Sequence, residues 1–158
     1  MIKILAVGKQ KEKAMRQLNE EYVKRLSAFS KIEIIEVPDE NAPQTLHKAQ
    51  MEQVKDKEGL RLLNHIKDSD TMILLDLAGE MLTSEGLAQK IDRLQTYSSG
   101  NIVFVIGGSL GVSEALIKRA DFRWKLSDLT FPHQLVRVLL AEQLYRAFTI
   151  LNHQPYHK

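Results

Sequence analysis

The sequence predicts an α/β protein, a parallel β-sheet flanked by helices. Three observations predict it. Short, almost wholly apolar, β-branched runs recur along the chain, as strands buried on both faces do. They alternate with segments whose apolar residues repeat every three or four positions, the helical period. No Pro/Gly/Ser-rich linker, low-complexity tract or internal repeat divides the chain, so residues 1–158 read as one domain, large enough for a sizeable core.

The elements follow in order. Strands are expected at Ile2–Val7, Ile32–Val37, Met72–Leu77 and Ile102–Ile106, with a weaker one near Arg123–Leu126. Met15, Leu18, Tyr22, Leu26 and Phe29 share one helical face, with Glu20, Glu21, Lys24 and Arg25 on the others. Asp39–Pro43 reads as a surface loop, and Gln44–Ile66 as a longer, more polar helix. Ser84 is a suitable N-cap, with Glu85 in the first turn, for a helix carrying Leu87, Ile91 and Leu94. Ser113 can cap a short helix through Arg119. Pro132 suits the first turn of a last helix ending near Leu151.

Composition narrows the function classes. Hydrophobic residues make up 44% and charged residues 27%, both ordinary for a globular protein. With no cysteine there is no disulfide, thiolate metal ligand or cysteine nucleophile, which suits a reducing cytosol. No apolar run approaches the roughly 20 residues of a membrane span. The N-terminus lacks the layout of a signal peptide and reads as a buried strand. A formal charge of +2 permits nucleic-acid binding without arguing for it.

Two segments carry most of the functional information. Phe104-Val105-Ile106-Gly107-Gly108-Ser109-Leu110-Gly111 is a strand that breaks into glycines, where a missing Cβ allows close approach of a ligand. It fits neither the G-x-G-x-x-G pattern nor a Walker A loop, so a dinucleotide or ATP phosphate site is disfavoured. A plain tight turn is the competing reading. Leu126-Ser127-Asp128-Leu129-Thr130-Phe131-Pro132-His133-Gln134 is a short loop entering the last helix, placed to close over the same ligand. Leu74-Leu75-Asp76-Leu77-Ala78-Gly79 likewise ends a strand in small residues. Neighbouring strands that end this way form the crevice where open α/β sheets bind ligands. Asp76 is then either a polar contact at that edge or a hydrated carboxylate.

The last helix carries Leu135, Val136, Leu139, Leu140, Leu144 and Phe148, broader than one sheet-covering face, so part of it is expected at an oligomer interface. Glu142 and Arg146 are spaced i, i+4; the plain reading is a surface ion pair worth roughly a few tenths of a kcal/mol. In the tail, His153, Tyr156 and His157 can stack on and hydrogen-bond to a base, or form a frayed, solvated end. Pro155 breaks the helix that would align His153 with His157, and no third ligand is evident, so no metal site is expected. Lys9-Gln10-Lys11-Glu12-Lys13 is a candidate phosphate contact or a solvated loop.

Taken together, Leu5–Lys9, Ile35–Asp39, Ser84–Ala88, Phe104–Ser109, Thr130–Gln134, Glu142–Ala147 and Pro155–His157 resemble the small SPOUT-class ribosomal RNA methyltransferases that modify N3 of a pseudouridine in the large subunit. The resemblance covers essentially the whole chain, with the motifs in order. It implies an α/β fold whose C-terminal segment forms a deep trefoil knot, a feature no pattern argument would propose. It implies S-adenosylmethionine as methyl donor, no metal, and a slot lined by Leu75, Gly107, Gly108, Leu126, Ser127, Asp128, Leu129, Thr130 and Phe131. It implies a cytoplasmic homodimer acting on large-subunit rRNA in assembled ribosomes. His133 or a water would accept the departing proton. Arg137 and Arg146 would bind phosphate or base carbonyls, and Tyr156 and His157 would close over the target nucleotide. Two other classes compete: a non-catalytic, flavodoxin-like nucleotide- or RNA-binding module, and a SPOUT enzyme acting on tRNA.

Overall fold

The computed structural model describes residues 1–41, 45 and 47–158. Among them the strands are β1 (Ile2–Val7), β2 (Ile32–Val37), β3 (Thr71–Glu80), β4 (Ile102–Ile106) and β5 (Phe122–Trp124). The helices are α1 (Lys13–Leu26), α2 (Lys48–Leu63), α3 (Ser84–Tyr97), α4 (Glu114–Arg119) and α5 (His133–Leu151). The strands form one sheet in the order β2-β1-β4-β3-β5, with every pairing parallel.

The two-residue period of a strand sorts side chains between two apolar layers. Ile2, Ile4 and Ala6 of β1, and Ile102, Phe104 and Ile106 of β4, join Leu26 of α1, Leu87 and Ile91 of α3, and Leu140, Leu144 and Phe148 of α5. Leu5, Val7, Val103 and Val105 point the other way, onto Leu62 of α2 and Leu116 of α4. Helices α1, α3 and α5 therefore cover one face and α2 and α4 the other. Leu140 and Leu144 are fully buried, so they serve this core and not a subunit interface.

Several boundaries differ from the sequence reading for local reasons. Helix α1 ends at Leu26, and Phe29 lies in the following turn; its ring still stacks on Phe148 at 5.8 Å. Leu18, on the expected apolar stripe, is exposed. Helix α2 begins at Lys48; Ala42, Pro43, Gln44 and Leu46, within the expected loop and helix start, lie outside the described residues. The cap of α3 is Thr83, whose Oγ1 accepts the Gly86 N–H at 2.9 Å. Ser84 is the first helical residue, and its hydroxyl donates to Gln143 Oε1 at 2.9 Å. Ser113 caps α4 as its sequence position suggests, accepting the Leu116 N–H. Pro132 stands one position earlier than expected, as the cap of α5.

The largest departure is at β3. Leu74-Leu75-Asp76-Leu77-Ala78-Gly79 does not end the strand. Leu75 and Glu80 both pair with Trp124, so residues 76–79 bulge out between them. Gly79 is required there, because a Cβ would strike the Arg123 carbonyl. Asp76 is not a freely hydrated carboxylate: it pairs with Arg123 at 2.7 Å.

Replacing fully buried Leu140 by Ala should cost about 2–5 kcal/mol in chemical denaturation. A loss no larger than the ~0.5 kcal/mol typical of a surface substitution would place it outside the core.

Candidate active site

The carboxyl ends of β3 and β4 open into a cavity of about 560 Å³. Its walls come from the β3 bulge (Leu75, Asp76, Leu77), the loop Gly107–Val112, and Trp124 of β5. The return segment supplies Leu126, Ser127, Leu129, Thr130 and Phe131; Pro132, His133 and Val136 supply the start of α5. The volume falls within the 300–1,000 Å³ usual for small-ligand sites.

Glycine makes the fold of the β4 loop possible. A Cβ on Gly107 would stand 2.9 Å from Val112 Cγ1 and 3.0 Å from the Gly111 carbonyl. The loop turns back on itself through a Gly111 N–H to Gly108 carbonyl bond of 3.1 Å, with Gly111 at φ +104°. Opposite it, the 126–131 segment is shaped by Ser127, whose Oγ accepts the Leu129 N–H at 3.0 Å. Of the residues expected in this slot, Asp128 is the one that does not line the cavity; its exposed carboxylate pairs with Lys125.

Lys55, Trp124 and Val136 line the cavity and escaped the sequence reading. Lys55 arrives from α2, which is remote in sequence, and Trp124 reads as an ordinary strand residue. Glu58, also on α2, escaped as well. It is 5% exposed, and its Oε2 accepts the Glu40 N–H at 3.0 Å. Its Oε1 is buried with no hydrogen-bond partner among the described residues. Burial pushes the carboxyl pKa up, reinforced by the charge of Asp39. Such an orphaned buried acceptor costs about 1–3 kcal/mol.

The remaining candidates form a second cluster. Arg146 Nε donates to Glu142 Oε1 at 3.0 Å, and the Tyr156 hydroxyl donates to the same oxygen at 3.1 Å. The Tyr156 ring packs edge-on against Tyr145 at 4.7 Å, with the Arg146 guanidinium 4.8 Å from its centroid. His157 Nδ1 lies 3.2 Å from Arg146 Nη1 and its Nε2 2.7 Å from Glu85 Oε1. A guanidinium only donates, so Nδ1 is the acceptor and Nε2 carries the proton toward Glu85. Glu85 is held below its ordinary pKa, chiefly by its own backbone N–H and then by His157.

The tail is therefore docked, contrary to the fraying usual at a chain end. Its aromatic ring and imidazole reach partners on α5 and α3. Burial first, then hydrogen bonding with Tyr22 and the charge of Glu142, push the Tyr156 hydroxyl up to about 12. His153 takes no part in this cluster; it sits at φ 56° just beyond α5.

The two clusters are far apart in one chain. His133 lies at the cavity and Arg146 thirteen residues further along α5; at 1.5 Å per residue that is about 20 Å. None of Arg146, Tyr156 and His157 lines the cavity. Arg137, considered as an RNA contact, is instead 4% exposed and committed to Glu36 at 2.7 Å and the Gly8 carbonyl at 3.3 Å. Lys9, Lys11 and Lys13 are exposed, while Gln10 is buried and donates to the Gln134 carbonyl at 3.1 Å.

Comparison with known proteins gives a full-length match. A family model described as "Predicted SPOUT methyltransferase" matches residues 1–157. The chain belongs to the SPOUT methyltransferase family. Among curated proteins it is 53% identical over 157 residues to "Ribosomal RNA large subunit methyltransferase H" of Listeria monocytogenes serotype 4b (strain CLIP80459), covering 99% of each. The protein of the same name from Ruminiclostridium cellulolyticum is also 53% identical over 99% of each chain. A solved structure titled "The structure of a probable methylase family protein from Haemophilus influenzae Rd KW20" superposes with TM-score 0.51 at 11% identity. It covers 96% of this chain and 66% of that one, a likeness of fold alone.

Docking of the tail has a thermal signature. Removal of residues 155–158 should lower Tm by roughly 1–6 °C, because an aromatic pair adds about 0.5–1.5 kcal/mol and each kcal/mol shifts Tm by about 2–4 °C at this size. An unchanged Tm would mean that the tail is free in solution. The stability contributed by the neutral Tyr156 hydroxyl should be complete below pH 10 and lost as pH rises through about 12. Tyr156→Phe should remove that alkaline step from the Tm profile.

Proposed function

We propose that this chain transfers a methyl group from S-adenosylmethionine to N3 of a pseudouridine in large-subunit ribosomal RNA. One observation carries the reading: identity of 53% over 99% of both chains with a protein named "Ribosomal RNA large subunit methyltransferase H". The cavity supports it. Its walls are mostly apolar, and Gly107 lets the loop that forms one wall pack directly on Val112 and the Gly111 carbonyl. That chemistry suits an adenosine bearing a sulfonium better than a nucleoside phosphate.

When bound, the donor supplies an electrophilic methyl carbon on sulfur. The chain's own part is to bind, align and exclude water. Leu75, Gly107, Gly108, Leu126, Ser127, Leu129, Thr130 and Phe131 enclose the donor, and Asp128 steadies that loop from outside through Lys125. His133, at the start of α5, or a water beside it, takes the N3 proton. Arg146, Tyr156 and His157 contact the target nucleotide.

The roughly 20 Å that separates His133 from Arg146 along α5 argues that these groups come from two chains. A homodimer brings the tail cluster of one copy to the cavity of the other, and exposed Leu18, Leu77, Met81 and Leu129 are surfaces such a partner can cover. Residues 1–158 form one domain in this reading. Its C-terminal segment closes a trefoil knot, consistent with the path from edge strand β5 back to the end of β1, where Gln134 Nε2 donates to the Lys9 carbonyl at 3.2 Å. No helix among the described residues is long and apolar enough to cross a membrane, and a ribosomal substrate places the protein in the cytoplasm.

Incubation of unmodified large subunits or ribosomes with S-adenosylmethionine, followed by mass spectrometry of the rRNA, should yield one N3-methylated pseudouridine. Methylation confined to tRNA, or absent, contradicts the reading. Gly107→Val should weaken S-adenosylhomocysteine binding at least tenfold by calorimetry, because the added methyls collide with Val112 and the Gly111 carbonyl and displace the loop. Unchanged affinity in the folded variant removes this loop from the donor site.

A further inference from the structure

A second cavity, of about 320 Å³, adjoins the first. The two share Gly108, Ser109, Leu110 and His133, so the glycine loop is the wall between them and His133 stands at their junction. The second differs in character. Its charged lining holds exposed Lys9 and Lys11 beside Glu12, Asp39 and Glu40, and the buried carboxyl of Glu58. One oxygen of that carboxylate is satisfied by the Glu40 N–H; the other has no donor among the described residues. Gly108 allows the close approach, since a Cβ there would stand 2.6 Å from Glu58 Oε1.

We propose that the second cavity receives the acceptor base, and that Glu58 accepts a hydrogen bond from the ring N1–H of pseudouridine. This rests on the methyl-transfer reading above and extends it to recognition of the base. The chemistry of the ring supplies the argument. In uridine N1 carries the sugar and has no hydrogen. In pseudouridine the sugar is on carbon, so N1–H and N3–H are both free, on opposite sides of the C2 carbonyl. A base whose N3 faces the junction at His133 directs N1–H away from it, toward an acceptor deeper in the second cavity. Glu58 lines that cavity, and its buried Oε1 has no donor among the described residues. Lys9 and Lys11 offer cations for the phosphates flanking a flipped nucleotide. A site built to bond an N–H rejects the analogue that lacks it, because the acceptor is then left unpaired.

The test uses the full-length protein and two variants. Glu58→Gln keeps an oxygen for the Glu40 N–H and removes the charge; Val54→Phe fills the second cavity from a residue that does not line the first. Each is assayed for Tm, for S-adenosylhomocysteine affinity by calorimetry, and for methylation of large subunits carrying either pseudouridine or uridine at the target. Wild type should prefer pseudouridine. Glu58→Gln should bind S-adenosylhomocysteine within about twofold of wild type, yet lose at least tenfold in kcat/KM on pseudouridine subunits and most of the preference over uridine. Val54→Phe should keep donor affinity and lose methylation. Retained discrimination in Glu58→Gln, or full methylation by Val54→Phe, overturns the assignment. So does loss of donor affinity in Glu58→Gln, which would move Glu58 to the donor site. Wild-type protein that binds no S-adenosylhomocysteine overturns the methyl-transfer reading itself, a distinguishable result.

Discussion

Helix α5 is the constraint on which the other features depend. Its inner face buries Leu140, Leu144, Ala147 and Phe148 over the sheet, between α1 and α3. Its first turn is pinned by Arg137 to Glu36 of β2 and to the Gly8 carbonyl. A buried guanidinium with a carboxylate partner is costly to break, because removing either side leaves an unpaired charge. That anchorage fixes where His133 sits relative to the glycine loop. The same helix carries Glu142, Tyr145 and Arg146, the platform on which the tail docks. One rod therefore carries both the His133 end at the cavity and the platform of the tail, and keeps them about 20 Å apart.

Around that rod the chain accepts local cost at the two cavities. The β3 bulge breaks the ladder beside β5 and exposes Leu77. The β4 loop folds so tightly that Gly107 has no room for a side chain. Glu58 holds a buried oxygen without a partner among the described residues. A packed core tolerates few such features, and their convergence on the two cavities is what a binding region requires. The strands beneath are unexceptional: largely apolar, alternating, and in register from β2 through β1 and β4 to β3.

The sheet was legible in the sequence because its strands are dominated by apolar, mostly β-branched residues. Ile2–Val7, Ile32–Val37 and Ile102–Ile106 coincide with the strands found. The glycine loop and the 126–131 segment were singled out in the sequence, and all but Asp128 of the slot residues expected there line the cavity. What was not legible depends on contacts remote in sequence. Asp76 meets Arg123 across 47 positions, His157 meets Glu85 across 72, and Arg137 meets Glu36 across 101. The outward turn of Asp128 depends on Lys125, which no periodicity singles out. The breadth of α5 has a partner within the chain, because the helix touches α1 and α3 as well as the sheet, while Leu135, Val136 and Leu139 remain only partly buried.

The central claim is that each site joins the cavity of one copy to the tail of another. Mixed dimers test it most directly. One chain carries Gly107→Val and the other lacks residues 155–158, and each alone should methylate ribosomes at a small fraction of the wild-type rate. If the sites are shared across a two-fold dimer, random mixing should restore about a quarter of wild-type activity, because half the dimers are mixed and each has one intact site. If cavity and tail act within one chain, mixing restores nothing, and the account is contradicted.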